Sequence, residues 1–255
     1  MRKPRRLPPE ELAPWVWPGS GQWGVGSGQT RGTEQTAEPG SLLPTAHSPL
    51  PTPAIQWRDL FGNPNPVEVE VGMGKGLFLL TEAQARPGVN FFGVAVVRKY
   101  QLYAATRYAI RKLPNVKTAC ADAKLLLREY VPAGSVAAVH VLFPDPWWKK
   151  RHKKRRVFTP EFAADTARVL RPAGWLHIAT DVEEYFGVMA GIVRAMPAFR
   201  ELAAETSTAA VEEAGYQTNF ERKARLKGTP VWRAAFERTD AAVTVAADPA
   251  DGPGA

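Results

Sequence analysis

The segment FPDPWWKKRHKKRR, residues 143–156, brings together residue types that could do chemistry on a nucleic acid. Pro144 and Pro146 flank Asp145. Because each proline fixes φ and lacks an N–H donor, neither a strand nor a helix can continue through this point. The segment therefore predicts a stiff loop that holds the carboxylate of Asp145 in one place, as a reacting group requires.

The residues that follow Pro146 are of types that bind the bases and phosphates of a nucleic acid. Trp147 and Trp148 have flat faces on which a base can stack, at about 1–3 kcal/mol per stacked base. Phosphates can be neutralised by the cations of the segment, which are Lys149, Lys150, Arg151, Lys153, Lys154, Arg155 and Arg156. The basic run alone could be a solvated charge run. Beside Asp145 and two tryptophans it indicates a nucleobase flipped out of a polyanion.

A glycine-rich turn follows the β-branched run VEVEV, with Gly72, Gly74 and Gly76 in the turn and Glu70 two residues before the first glycine. Glycines allow the backbone to turn tightly and to approach a ligand. The spacing GxGxG fits neither a P-loop nor the GxGxxG of a dinucleotide site. It resembles the first motif of class I S-adenosylmethionine-dependent methyltransferases, in which the turn passes beneath the amino-acid part of the cofactor. A turn with a purely structural role is the alternative.

Two further strand ends concern the same cofactor. Asp122 follows the predicted strand VKTAC. The resemblance implies that it accepts a hydrogen bond from the adenine amino group, and it could also cap the next helix. At the end of the second predicted strand the class I enzymes carry an acid that binds both ribose hydroxyls, whereas this sequence has Ala95. Since such missing hydrogen bonds cost roughly 1–3 kcal/mol, we expect weakened binding of S-adenosylmethionine.

Several separated segments together resemble one family. PDPWWKKRHKKRR, residues 144–156, is similar to the signature of the bacterial tRNA (guanine-N7-)-methyltransferases. Other segments similar to that family are ATDVEEY (179–185), TNFERKARLKG (218–228) and VWRAAFER (231–238). The resemblance implies transfer of a methyl group from S-adenosyl-L-methionine to N7 of a guanine in the tRNA variable loop, without a metal. The alternative, motivated by Ala95, is a tRNA-binding relative with weakened or lost cofactor binding.

The resemblance also implies roles for individual residues. Asp145 matches the residue usually assigned the catalytic role. The cofactor cleft would be lined by Glu70, Gly72, Gly74, Ala95, Asp122 and Asp145. The substrate nucleotide would be contacted by Lys149, Asp181, Thr218, Asn219, Phe220 and Glu221. Phosphates of the tRNA would be contacted by Lys150, Arg151, Lys153, Lys154, Arg155 and Arg156. From the residues alone, Asp181 could instead cap a helix that starts at Val182, and Thr218 with Glu221 fits a capping box.

Regular elements must bring these strand ends together. We expect strands over residues 67–71, 90–96, 116–120, 136–143, 175–180 and 231–238. Helices are expected over residues 75–86, 98–113, 123–130, 160–170 and 182–196. This alternation predicts a parallel sheet with helices on both faces, whose ligands bind beyond the carboxyl ends of the strands. The resemblance implies the α/β, Rossmann-like fold of class I methyltransferases, with a mostly parallel seven-stranded sheet.

The bulk composition limits the remaining possibilities. The chain has 255 residues, a formal net charge of +8, one cysteine and four histidines. An intramolecular disulfide is impossible, and the scattered histidines predict no metal site. The positive charge favours a polyanionic partner, in agreement with tRNA. No apolar run approaches the roughly 20 residues that span a bilayer, so we expect a cytoplasmic protein without a membrane partner. The oligomeric state, monomer or homodimer, stays open.

The two ends of the chain differ in composition from its centre. Residues 1–55 are rich in Pro, Gly, Ser and Thr and are predicted to be a disordered tail, as are residues 241–255. A methyltransferase domain is expected over residues 56–240. Three tryptophans in the first tail could dock on the core, although an extension without a structural role is the simpler interpretation.

Overall fold

The computed structural model of the chain describes residues 7–18, 54–147, 150–203, 218, 220–221, 226 and 228–243. Its strands are β1 (Val67–Val71), β2 (Asn90–Ala95), β3 (Val116–Cys120), β4 (Val136–Leu142), β5 (Leu170–Thr180), β6 (Phe199–Glu201) and β7 (Trp232–Arg238). Its α-helices are α1 (Trp57–Phe61), α2 (Leu77–Ala85), α3 (Arg98–Ile110), α4 (Ala123–Tyr130), α5 (Pro160–Val169) and α6 (Glu183–Arg194). Short 3₁₀ helices cover Pro9–Trp15 and Lys150–Arg155.

The strands form one seven-stranded sheet in the order β3-β2-β1-β4-β5-β7-β6. Strands β1 to β5 pair in parallel, while β7 runs antiparallel to both β5 and β6. The prediction of a mostly parallel, seven-stranded Rossmann-like sheet is confirmed. The strand Phe199–Glu201 is absent from the strands expected from sequence, because three residues are too few to show a period of two.

The alternation of side chains in β1 separates two faces of the sheet. All five residues of this strand are buried. Val67, Val69 and Val71 enter the apolar core beneath α4, α5 and α6. Glu68 and Glu70 point to the opposite face, because successive side chains of a strand alternate. That face is covered by α2 and α3. The run VEVEV therefore buries two carboxyl groups beneath helices, and each needs a physical explanation.

Glu68 is satisfied within the protein. Arg86 donates to both of its carboxylate oxygens, at 2.6 and 2.9 Å, and His140 Nε2 lies 3.0 Å from Glu68 Oε2. Burial by itself would raise the pKa of Glu68, but the hydrogen bonds and charges of His140 and Arg86 lower it to about 2. Removing one partner of such a buried cluster would leave an uncompensated charge inside the protein. Glu68 therefore has a structural role, and its oxygens are already engaged by Arg86 and His140.

Residues 7–18 correct part of the predicted N-terminal tail. Val16 forms a parallel bridge with Thr118 at the outer edge of β3, and Trp17 N donates to Thr118 O at 2.8 Å. Trp17 is buried, and its ring lies 6.4 Å from that of Phe92 in an edge-to-face arrangement. The segment covers a sheet edge whose N–H and C=O groups would otherwise lack partners. Its composition did not reveal this, because its partners lie about a hundred positions along the chain.

The outer limits of the domain stay predictions. Ile55 is buried, and its N–H donates to Tyr130 O at 2.8 Å, so residue 55 belongs to the folded part rather than to a tail. Residues 19–53 and 244–255 lie outside the described residues. Across the described parts of the chain, no helix combines the length and the apolar character needed to cross a membrane.

Candidate functional site

The glycine turn, residues 72–76, leaves the carboxyl end of β1. Gly72 N donates to Val94 O at 2.9 Å, so the turn lies against the end of the neighbouring strand β2. At Gly76, φ is +66°, and an added Cβ would lie 2.0 Å from Tyr108 Oη. The third glycine is therefore required by the left-handed backbone and by the close packing of the turn on α3.

Replacing Gly76 with alanine is expected to lower the free energy of unfolding by about 2–5 kcal/mol. The left-handed backbone costs a residue with a Cβ about 1–2 kcal/mol. Overpacking against Tyr108 Oη and Ala104 Cβ, at 2.0 and 2.7 Å from the added Cβ, costs about 1–3 kcal/mol more. Gly134 is the matched control, since its φ is +62° and nothing lies within 4 Å of an added Cβ. Urea unfolding followed by circular dichroism measures both variants. Equal losses in the two would contradict the packing argument.

Glu70 is buried at the carboxyl end of β1 and is only 4% exposed. Its Oε2 atom has no hydrogen-bond partner among the described residues, and burial raises its pKa to about 8. A buried carboxyl group in this state becomes favourable when an N–H donor or a cation reaches it. The amino-acid part of S-adenosylmethionine carries such an ammonium group. The residues at the glycine turn therefore fit this cofactor.

The loop that carries Asp145 leaves the same edge of the sheet as the glycine turn. Val71 pairs in parallel with Val141, so the ends of β1 and β4 lie side by side. Phe143 N donates to Ala179 O at 2.7 Å, which ties the start of the loop to β5. Asp145 is exposed, and within the described residues no hydrogen bond or ion pair engages its carboxylate. This placement is the one expected from the sequence.

The backbone of this loop is strained at both ends. Phe143 and Trp147 have φ of +52° and +43°, values that residues other than glycine rarely adopt. Such strain persists only where the surrounding structure imposes it, and it is concentrated at functional sites. The two prolines account for the stiffness of the loop, and its anchors must account for its strain.

Arg156 is one of these anchors, and its predicted contact with a tRNA phosphate needs correction. It is only 9% exposed, and its Nε donates to Pro146 O at 2.7 Å. Its guanidinium lies 5.3 Å from the ring centre of Tyr185, a fully buried residue of α6. Arg156 therefore braces the Asp145 loop against α6 from inside the protein. Sequence cannot separate it from its neighbours, because a run of seven cations carries no signal of which one turns inward.

The rest of the basic segment surrounds Trp147. Arg151 and Arg155 are exposed. The guanidinium of Arg155 lies 5.1 Å from the Trp147 ring centre, and the His152 ring meets Trp147 edge-on at 5.6 Å. Trp147 thus contacts the guanidinium of Arg155 and the ring of His152 within the protein itself. The phosphate contacts of Lys150, Lys153 and Lys154 stay predictions, because their side chains lie outside the description. The stacking of a base on Trp148 and the substrate contacts of Lys149 and Asn219 also stay predictions, because these residues lie outside it entirely.

Asp181 follows β5 directly and lies at the strand end next to that of β4, since Leu142 pairs with Ala179. Helix α6 has Val182 as its N-cap and no side-chain capping bond, and Val182 N instead donates to Thr180 Oγ1 at 3.2 Å. The capping alternative for Asp181 is therefore wrong. Its side chain is exposed. Two exposed carboxylates, Asp145 and Asp181, thus follow adjacent strands.

The ends of β2 and β3 offer less to a ligand. Asp122 caps α4, with Oδ1 accepting from Lys124 N at 2.8 Å, and its exposed carboxylate has a second oxygen for a ligand. Its predicted adenine contact stays a prediction. Ala95 is buried, and the exposed Val96 and Val97 after it carry no polar side-chain group. No described side chain at this strand end replaces the missing acid.

The late segment combines a cap with an exposed ring. Thr218 Oγ1 accepts from Glu221 N at 2.9 Å, which is one of the two hydrogen bonds of the capping box. Glu221 is buried, and its carboxylate pairs with Arg233 of β7 at 2.6 Å, a partner that the sequence analysis missed. Phe220 is 52% exposed, and its ring stacks on that of Phe143 with centroids 6.0 Å apart. Of these residues, Phe220 presents the surface most suited to a substrate base.

No group of three or more His, Cys, Asp or Glu side chains within the described residues is arranged to hold a metal ion.

Comparisons with known proteins find similar chains among methyltransferases. A family model described as a putative methyltransferase matches residues 64–234. The tRNA (guanine-N(7)-)-methyltransferase of Rhodopirellula baltica is 40% identical over 190 residues, which cover 72% of this chain and 70% of that protein. The enzyme of the same name from Pseudomonas entomophila is 36% identical over 213 residues, covering 84% and 86%. Among solved structures, the 16S rRNA methyltransferase KamB superposes with a TM-score of 0.51 at 19% identity, covering 72% of this chain and 92% of that one, and shares its fold.

Proposed function

Because the chain belongs to the tRNA (guanine-N7-)-methyltransferase family, we propose that it transfers a methyl group from S-adenosyl-L-methionine to N7 of a guanine in the tRNA variable loop. The observation that carries the proposal is the pair of exposed carboxylates, Asp145 and Asp181, which follow adjacent strands beside the glycine turn. Polyanion-binding cations, including the exposed Arg151 and Arg155, follow the first of them.

The methyl donor would be held by residues at three strand ends. S-adenosyl-L-methionine, when bound, supplies a methyl group on a sulfonium that needs no further activation. The residues assigned to holding it are Glu70, Gly72, Gly74 and Asp122, with Ala95 in place of a ribose-binding acid. Glu70 Oε2, which has no hydrogen-bond partner among the residues described, supports this assignment, because a buried carboxyl oxygen is satisfied by an ammonium donor.

The reaction requires the base to be aligned with the methyl group and the charge of the methylated purine to be stabilised. Guanine N7 carries an in-plane lone pair, so no residue has to remove a proton before the transfer. The protein's main contribution is to hold the base in line with the methyl group. Methylation leaves the purine cationic, and fixed carboxylates stabilise a charge that develops in this way. Asp145 and Asp181 are the groups placed for that role. Either can also accept from guanine N1–H and N2–H, which adenine lacks.

A methyl-transfer assay with labelled donor, unmodified tRNA and nucleoside analysis tests the proposal. The label is expected in 7-methylguanosine. The matched control is the same tRNA with 7-deazaguanosine at the target position, in which a C–H group replaces N7 and no label should be incorporated. Label in another nucleoside, or equal incorporation into the control tRNA, would refute the assignment of N7 as the acceptor.

The second candidate function is tRNA binding with weakened or lost donor binding, and Ala95 is the observation that favours it. Ala95→Glu is expected to lower the Kd for S-adenosylmethionine about tenfold, which corresponds to about 1.4 kcal/mol from restored ribose hydrogen bonds. Isothermal titration calorimetry measures it, with Ala95→Gln as a control of similar size without the charge. If the Ala95→Glu variant binds S-adenosylmethionine no more tightly than the Ala95→Gln variant does, the ribose is held by other residues.

A further inference from the structure

We propose that the exposed side of α3, with the adjoining Lys75, binds the backbone of the substrate tRNA on the opposite side of the glycine turn from the basic segment after β4. We call this surface the α3 cationic face. Its exposed members are Lys75, Arg98, Lys99 and Arg111, which directly follows the last residue of α3, and its fifth member, Arg107, is partly buried. The inference rests on the proposed function, because it takes the polyanion at this face to be the RNA whose guanine enters the site.

The charge of this region is unbalanced. Residues 83–121 contain no aspartate or glutamate, although they contain seven lysines and arginines. The charge of Arg86 is neutralised by its ion pairs with Glu68 and Glu82. Within the described residues, Arg98, Lys99 and the other members of the face form no ion pair. The α3 cationic face therefore presents positive charge that no acid of the described fold neutralises, and such a surface attracts polyanions.

The sheet topology places the amino end of α3, with Arg98 and Lys99, at the mouth of the site. Strand β1, which carries the glycine turn, lies between β2 and β4. Helix α3 starts three residues after β2 ends, and the basic segment follows β4. Since neighbouring strands lie about 5 Å apart, the ends of β2 and β4 are separated by about 10 Å. Arg107 Nη1 donates to Lys75 O at 2.9 Å, which joins the face to the turn itself. A polyanion that crosses the mouth meets cations on both sides.

The position of Arg98 and Lys99 supports an external partner. Both lie in the first turn of α3, which contains no acidic residue. The amino end of a helix carries partial positive charge, so cations there are unfavourable for the helix. No acid of the described residues pairs with these two side chains to offset this cost. A phosphate would be attracted both by the side chains and by the helix end. An anionic membrane would meet the same charge, but the RNA is favoured because the face borders the opening through which its base would enter.

The test compares two double variants in filter binding to tRNA over a series of salt concentrations, without the methyl donor. Arg98→Gln with Lys99→Gln removes the charge while keeping good helix formers. Arg58→Gln with Arg171→Gln is the control, because both residues are exposed and lie at the opposite edge, before β1 and at the start of β5. The α3 variant is expected to raise the Kd for tRNA about tenfold and to reduce the slope of log K against log salt by about 1.5. The control should behave as the wild type.

The outcomes separate this inference from the proposed function. Unchanged affinity and salt slope in the α3 variant would overturn the inference, as would binding to phosphatidylglycerol vesicles that is lost in the variant while tRNA binding is kept. Misfolding is checked by thermal unfolding, where the midpoint should be equal to or above that of the wild type because an unfavourable helix charge is removed. Failure of methyl transfer in the wild type, with the α3 effect on tRNA binding intact, would remove the proposed function alone.

Discussion

Asp145→Asn is expected to lower kcat for tRNA methylation about 100-fold while leaving the Kd for tRNA nearly unchanged. The substitution keeps the size of the side chain and removes its charge, which is the property assigned to stabilising the cationic purine. Asp145 is exposed and, among the described residues, makes no hydrogen bond or ion pair that folding could depend on. Single-turnover methyl transfer and filter binding to the same tRNA provide the two measurements.

Asp59→Asn is the matched control, because Asp59 is an exposed acid on α1, away from the strand ends that form the site. Its turnover should equal that of the wild type. Asp181→Asn distinguishes the two candidate carboxylates. If Asp181→Asn loses turnover and Asp145→Asn does not, the catalytic role belongs to Asp181 and its assignment to Asp145 is wrong.

Arg156→Gln is expected to lower kcat by up to about 100-fold, since a displacement of about 1 Å at a reacting group costs that much. The variant loses the bond from Nε to Pro146 O and the cation over the Tyr185 ring, which together hold the Asp145 loop. Losing a buried, charge-assisted hydrogen bond should also reduce the free energy of unfolding by about 1–3 kcal/mol. Affinity for tRNA and its salt dependence should stay close to the wild type, because the guanidinium is buried.

Arg151→Gln provides the contrast within the same basic segment. Arg151 is exposed, so its loss should weaken tRNA binding and lower the salt slope by about 0.9 without slowing the bound enzyme. A merely structural Arg156 would lower stability without changing kcat measured below the unfolding transition. If both variants show the same profile of binding and turnover, the division into a bracing arginine and a phosphate-binding arginine fails.

Much of the fold followed from local patterns. The runs VEVEV, NFFGVA and VKTAC became β1, β2 and β3 within one residue of the expected limits, because strands and helices reflect the spacing of nearby side chains. The turn with Gly72, Gly74 and Gly76 could also be predicted, because glycines with positive φ turn the backbone locally and need no distant partner. The short β6 could not be predicted, because three residues are too few to show a period of two, and the docked residues 7–18 could not, because their partners lie about a hundred positions along the chain.

The sequence by itself determined the order of the strands along the chain, the glycine turn, the stiff loop around Asp145 and the abundance of cations that suits RNA. These depend on residue types and on spacings of a few positions. Only the tertiary structure decided that Arg156 turns inward, that Glu221 pairs with Arg233 and that Asp181 does not cap α6. It also decided that a buried oxygen of Glu70 has no hydrogen-bond partner in the described part of the chain. Burial and pairing are set by elements that meet only after the sheet has assembled, so a basic run or an acid reads the same in sequence whether its side chain faces solvent or the core.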